Sequence, residues 1–248
     1  MDTPLILGID TATLAGSVCL ARGEKVLASV IGDPKVSHSN DLLSDINRVL
    51  DDSKVSLTDV DVFAVANGPG SFTGLRIGLA TVKALSKTLS RACVGIPTLR
   101  AIAHSCGPAD GTVAALPAGR GEVFVQLFTV SRYLTVRELD KPAHLSPEKT
   151  LLKYNELKNL KWAGEGAQLH QTRIKEWAAQ RSITFGDEPT NGASDDPIWI
   201  LARREVNLAS SIAALALERF RSGDVETPDS LRAIYVSPPD AEVKTQWQ

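Results

Sequence analysis

Two stretches of this chain combine residue types and spacings that could do chemistry. The first is Gly68-Pro69-Gly70-Ser71-Phe72-Thr73-Gly74-Leu75-Arg76, which follows the apolar run Val62–Ala66 and opens a segment free of proline from Phe72 to Leu89. An apolar run, a glycine turn and a long periodic segment predict strand, turn and helix. Such a turn either turns its N–H groups and the helix dipole toward an anion, or lets the helix come very close to another backbone. The second stretch is Asp10-Thr11-Ala12-Thr13, at the end of the apolar run Leu5–Ile9. A carboxylate followed by hydroxyls after a strand can hold a cation and a phosphate, or can simply cap its own turn.

Several chemistries are excluded by what is missing. A Walker phosphate loop needs Gly-Lys-Ser/Thr, whereas Gly74 is followed by Leu75-Arg76. None of His38, His104, His144 and His170 has a second histidine three or four places on, so no helical metal pair exists. There is no Gly-x-Ser-x-Gly elbow, and Ser71 reads as a helix N-cap. The three cysteines, Cys19, Cys93 and Cys106, form no Cys-x-x-Cys and are odd in number, so they read as core thiols of a reducing compartment. A net charge of −2 supplies no field for gripping nucleic acid. The start Met1-Asp2-Thr3-Pro4 has no basic leader pattern, and no apolar run is long enough to span a bilayer. A cytoplasmic protein is expected.

The elements that must position these stretches follow from periodicity. Strands are predicted over 5–10, 14–20 and 25–31, then a helix over 38–52 with Leu42, Leu43, Ile46, Val49 and Leu50 on one stripe. Strand 62–66, helix 72–89, strand 93–96 and a short helix from Thr98 complete the order βββαβαβα. On helix 72–89, Gly74, Gly78 and Thr81 form a strip of small residues beside Leu75, Leu79 and Val82, while Ile77, Ala80 and Ala84 lie on another side. Small or apolar residues around most of a helix imply contacts on two sides. One is the sheet; the other is a partner's helix or a second helix of the same lobe.

The second half opens in the same way, with strands predicted over 112–116, 122–130 and 133–139. A helix over 149–155 is capped by Ser146-Pro147-Glu148, and a strand 161–164 and a helix 167–180 come next. The stretch 186–199 reads as a loop, and the alanine-rich helix 208–221 is expected to return to the first lobe. A repeated unit explains this order. The expected division is a first lobe 1–106, a smaller second lobe 107–207 beginning at the turn formers 107–111, and a mobile polar tail 237–248.

Ile6-Leu7-Gly8-Ile9-Asp10-Thr11, His38-Ser39 before a leucine-rich helix, and above all the nine-residue glycine motif resemble the TsaB, or YeaZ, family. This family is a Gcp-like branch of the actin and Hsp70 (ASKHA) fold. The resemblance is strongest over residues 5–104. Beyond it, Gly121-Glu122-Val123-Phe124 is similar to the family's Arg-Gly-Glu-Val-Tyr, and Tyr235 stands where a closing Tyr-x-Arg falls. It implies a two-lobed, duplicated βββαβα α/β fold of the RNase H-like, actin-like kind. It also implies a part in making N6-threonylcarbamoyladenosine at the tRNA adenosine next to the anticodon.

In such systems a sister protein, TsaD, carries the metal and transfers the threonylcarbamoyl group. The TsaB-like chain binds and activates it together with the ATPase TsaE. The sister's His-x-x-x-His pair is broken here, since Leu42 stands four places after His38. The resemblance further implies a partner surface at His38, Leu42, Gly70, Ser71, Phe72, Thr73, Gly74, Leu75, Gly78 and Thr81. It implies tRNA met only through the complex and no cofactor in the isolated chain, with ATP or ADP entering in the complex with TsaD and TsaE. Exposed apolar surface of that size seeks cover, so a homodimer is expected when the chain is alone, and no membrane partner is expected.

Three departures bear on a nucleotide site. The actin group carries Gly two places after its Asp, where this chain has Ala12. Pro117-Ala118-Gly119 replaces the family's Asp-Ala-Arg, and Ser237 replaces the closing arginine. Half of a nucleotide clamp is missing, and Asp10 and Thr11 are the remaining candidate contacts. The competing class is an ATP-dependent phosphotransferase or ATPase of the same fold, resting on Asp10.

Overall fold

The computed structural model describes residues 3–33, 38–186, 197–203 and 205–236, without the side chains of 38–40. The chain divides into two units, one of residues up to 101 with 206–235, the other of 102–205. The expected tail 237–248 and the departure at Ser237 lie outside the described residues.

Unit 1 is built on β1 (Leu5–Asp10), β2 (Ser17–Arg22), β3 (Lys25–Ile31), β4 (Val62–Gly68) and β5 (Ala92–Pro97), in the order β3-β2-β1-β4-β5. The first three pair antiparallel, while β4 and β5 run parallel to β1. Every residue of β1 and β4 is buried, which is why both read as unbroken apolar runs rather than alternating ones. Helix α1 (His38–Ser53) packs on β2 and β3, and α2 (Phe72–Leu89) on β4. On α1 the stripe is Leu42, Ile46, Val49 and Leu50; Leu43 leaves it and is 63% exposed. Strand β2 starts three residues later than predicted, because 11–16 are spent on a turn anchored by Asp10.

Helix α3 (Thr98–Ser105) follows β5, and α7 (Leu208–Arg221) lies against β1 and β2. Contact there is close: a Cβ on Gly8 would stand 2.5 Å from the Ala209 carbonyl oxygen and 3.2 Å from Ala213 Cβ. Ser17 Oγ accepts from Ala209 N at 2.9 Å, so β2 supplies a cap to the first turn of α7. The open edge of β5 is covered by the chain after α7. Cys93 and Glu226 exchange backbone hydrogen bonds, and Glu226 Oε2 accepts from Gly95 N at 2.7 Å. A covered edge removes a template for pairing with other chains.

Unit 2 contains β6 (Ala109–Gly119), β7 (Glu122–Val130), β8 (Val136–Glu138), β9 (Ala143–Leu145), α4 (Pro147–Lys153), β10 (Asn159–Ala163), α5 (Glu165–Leu169), α6 (Gln171–Ala179), β11 (Thr184–Gly186) and β12 (Ile198–Leu201). Its sheet runs β11-β12-β10-β6-β7-β8, with β9 also on β7. Read from β8, the path β8-β7-β6-β10-β12 repeats β3-β2-β1-β4-β5 of unit 1, with the same parallel and antiparallel pairs. The duplication is therefore one of topology.

Three details differ from the sequence expectation. The strand placed at 133–139 shrinks to β8, because Ser131–Thr135 close a tight turn in which Ser131 Oγ accepts from Tyr133 N and Thr135 N at 3.2 Å. The helix placed at 167–180 breaks at His170, which ends α5 and begins α6. The loop placed at 186–199 gives way at both ends to strands, β11 and β12, while 187–196 lie outside the described residues.

Candidate functional site

The turn after β1 and the glycine turn before α2 meet. Asp10, 1% exposed, accepts through Oδ1 from Ala12 N at 2.8 Å and Thr13 N at 3.3 Å, and through Oδ2 from Thr13 Oγ1. Its carboxylate is spent on holding its own turn. Thr11 Oγ1 donates to the Gly74 carbonyl oxygen at 2.7 Å, and Ser71 N donates to the Ala12 carbonyl oxygen at 2.9 Å. Ser71 is the N-cap of α2, its Oγ accepting from Gly74 N at 3.2 Å.

The glycines make this contact sterically possible. A Cβ on Gly74 would overlap the Thr11 carbonyl oxygen, and one on Gly78 would overlap Thr11 Oγ1. A Cβ on Gly70 would come within 2.6 Å of the Ala12 carbonyl oxygen. Of the two roles open to a glycine turn, close approach to a backbone is the one realised, and the backbone belongs to this chain.

Four of the residues expected on the partner surface lie inward. Gly74 and Gly78 face Thr11 from within unit 1, and Leu42 and Leu75 sit in its core, where hydrophobic burial holds them. The outward face of α2 instead carries Phe72, Thr73, Arg76, Ala80 and Ala84, with Ser71 exposed just ahead of it. Gly70 and Thr81 are half-buried, and the side chain of His38 lies outside the described residues. Two members of this face gain order from a contact the sequence reasoning missed. The Arg76 guanidinium lies 3.7 Å from the centre of the Phe72 ring, and the Tyr235 ring meets Phe72 in a tilted contact with 5.9 Å between centroids. The i, i+4 spacing of Phe72 and Arg76 was a legible signal for the first contact. The second joins residues 163 positions apart in sequence and left no local trace.

The residues do not fit the magnesium nucleotide that actin-like folds often hold. Asp10 is engaged as described, and the cleft beside it is lined by three further carboxylates, Asp33, Asp41 and Asp45. Such a wall repels phosphate that arrives without a cation. Among the described residues no group of three or more His, Cys, Asp or Glu could hold a metal ion. In unit 2 the corresponding hairpin carries Pro117-Ala118-Gly119 and then Glu122, which pairs with His144 Nε2 at 2.8 Å. The histidines predicted not to act as a metal set are spread over separate elements. Among the described residues no helix is long and apolar enough to cross a membrane.

A family model described as TsaD: tRNA N6-adenosine threonylcarbamoyltransferase matches residues 26–217. The tRNA threonylcarbamoyladenosine biosynthesis protein TsaB of Escherichia coli (strain K12) is 37% identical over 122 residues, which is 48% of this chain and 52% of that protein. The protein of the same name from Bacillus subtilis (strain 168) is 28% identical over 173 residues, 69% of this chain and 75% of that protein. The chain thus spans about half the length of the first of these relatives and three quarters of the second. A solved structure of YeaZ from Pseudomonas aeruginosa shares the fold at a TM-score of 0.74 and 23% identity, over 94% of this chain and 99% of that one. Topology and site together define an actin-like α/β protein made of two copies of one unit. The chain belongs to the family of that TsaD model, and within it to the TsaB, or YeaZ, branch.

Proposed function

We propose that this chain serves the synthesis of N6-threonylcarbamoyladenosine in tRNA as a non-catalytic subunit that binds a TsaD-type threonylcarbamoyltransferase. The names of its relatives support the pathway. The observation that supports the non-catalytic part is the closed Asp10 turn, in which the carboxylate at the end of β1 holds backbone. The outward face of α2 supports the binding part. Ala80 and Ala84 present little more than backbone to a partner, and Phe72 with Arg76 flank them, while Leu43 of α1 is exposed. Small residues permit close helix approach, and aromatic and arginine side chains are the usual anchors of an interface. TsaE joins through the same complex, tRNA is met there, any nucleotide belongs to the assembled complex, and the face pairs with itself when the chain is alone. The compartment is that of the tRNA, the cytoplasm.

Co-expression with a TsaD-type subunit tests this. The unaltered chain should co-migrate with it in size exclusion, and Ala80→Arg with Ala84→Arg should weaken the complex at least tenfold without shifting the melting temperature. Restored threonylcarbamoyladenosine in tRNA of a strain lacking the chain, read by nucleoside mass spectrometry, is the expected cellular result. Separate migration of the unaltered chain and the TsaD-type subunit would overturn the proposal.

A further inference from the structure

Unit 2 contains an unanswered polar demand. Trp162 on β10 is 1% exposed and sits in an aromatic cluster, its ring 5.2 Å from Trp199 and 6.3 Å from Tyr154. Its neighbours satisfy their polar ends: Trp199 Nε1 donates to the Leu157 carbonyl oxygen at 3.0 Å, and Tyr154 donates to Asp140 Oδ2 at 2.9 Å. Trp162 Nε1 is buried with no hydrogen-bond partner. The same holds for Nε2 of His170, the residue at which α5 gives way to α6. A buried donor left unsatisfied costs on the order of 1–3 kcal/mol, so native structures rarely carry one without a water or ligand.

Both residues belong to the wall of one small cavity, roofed by α4 and α5 over the sheet. Its free volume is about 20 Å³. One water needs roughly 10–15 Å³ of such space together with two or more polar partners. No Lys, Arg, Asp or Glu lines the cavity, so neither an anion nor a cation would find a counter-charge there. An indole N–H can only donate. Burial lowers the His170 pKa and keeps its imidazole neutral near pH 7. The neutral ring either accepts at Nε2 or donates from it, according to tautomer. A hydroxyl oxygen suits both cases, since it accepts from Trp162 and either donates to His170 or accepts from it. A carbonyl oxygen suits only one.

We propose that this cavity is a binding site for one water-sized neutral hydroxyl, occupied by an ordered water that ties β10 to the α5–α6 junction.

The test uses the full ¹⁵N-labelled chain. Four tryptophans give four indole signals, and loss of one in Trp162→Phe assigns the relevant peak. A water-selective NOE experiment should show a cross-peak of long-lived water at the Trp162 indole proton. His170→Leu should abolish that cross-peak with the other three indole signals unmoved, and His170→Asn, which keeps a polar atom, should retain part of it. No water cross-peak at Trp162 in the unaltered chain, or one undiminished in a folded His170→Leu, would overturn the proposal. Should His170→Leu fail to fold, the unaltered chain and His170→Asn decide the matter alone.

Discussion

Thr11 is the residue on which the two sequence motifs converge. It binds the Gly74 carbonyl oxygen and occupies the space beside Gly78, so both glycines are fixed by one threonine. Gly74→Ala would drive a methyl group into backbone, which cannot move aside as a side chain could. Overpacking of that kind costs about 1–3 kcal/mol. Urea denaturation should show a loss of that size, whereas Ala80→Ser on the exposed face should stay within about 0.5 kcal/mol. Equal stabilities for the two variants would show that Gly74 is free of Thr11. A second residue-scale expectation concerns pH. Burial pushes the Cys19 thiol up to about 12, well above the ordinary thiol value. A group whose pKa is raised by folding contributes its stability below the unfolded value and loses it as pH climbs toward the folded one. Stability should therefore fall between pH 9 and about 12, by roughly 1.4 kcal/mol per pH unit for this thiol. Cys19→Ala should flatten that slope, whatever it does to stability at pH 7. Urea titrations of both chains at pH 8 and 10.5 read the difference, and parallel slopes would refute it.

Elements differ in how plainly the sequence announces them. The buried strands β1 and β4 and the helices α1, α2 and α7 are long or strongly patterned, and their bounds were legible to within a few residues. The N-caps of α2 and α4 were legible because serine at that position has one dominant role, and both Ser71 and Ser146 accept from the backbone N three residues on. Strand β8 was legible only as part of a longer run, 133–139, and β9 and β11 were not, since three residues carry no usable period and exist only through pairing with β7 or β12. The break at His170 is likewise tertiary, as nothing in Gln168–Thr172 is a helix breaker. The small-residue strip of α2 was visible, but its direction was not. Glycine signals close approach without saying to what, and only the register of α2 against the β1 turn assigns Gly74 and Gly78 to the interior. The candidate site was thus readable as a pair of motifs, while their contact, and the Phe72, Arg76 and Tyr235 cluster beside it, depends on chain segments far apart in sequence.

At the scale of the whole molecule, unit 1 is discontinuous in sequence: its sheet is complete by residue 97, yet α7 arrives only after the whole of unit 2. Leu208, Ile212, Leu215 and Leu217 of α7 are all buried. Burying each is worth about 1.5–3 kcal/mol, or about 6–12 kcal/mol together before entropy is subtracted. The net stability of a domain is about 5–15 kcal/mol, so this one helix is comparable with the entire margin. Without it, Gly8 and the β1 and β2 face that it covers would lie open, and Glu226 would no longer shield β5. A chain ended at residue 205 should therefore lose cooperative unfolding of unit 1 and be cut rapidly within residues 3–97 by low levels of protease. Circular dichroism melts and timed proteolysis of this chain and the full one make the comparison. Protection of residues 3–97 in the 205-residue chain, equal to that in the full chain, would show that the sheet and helices α1 and α2 suffice, and that α7 is an addition to unit 1 and not part of its core.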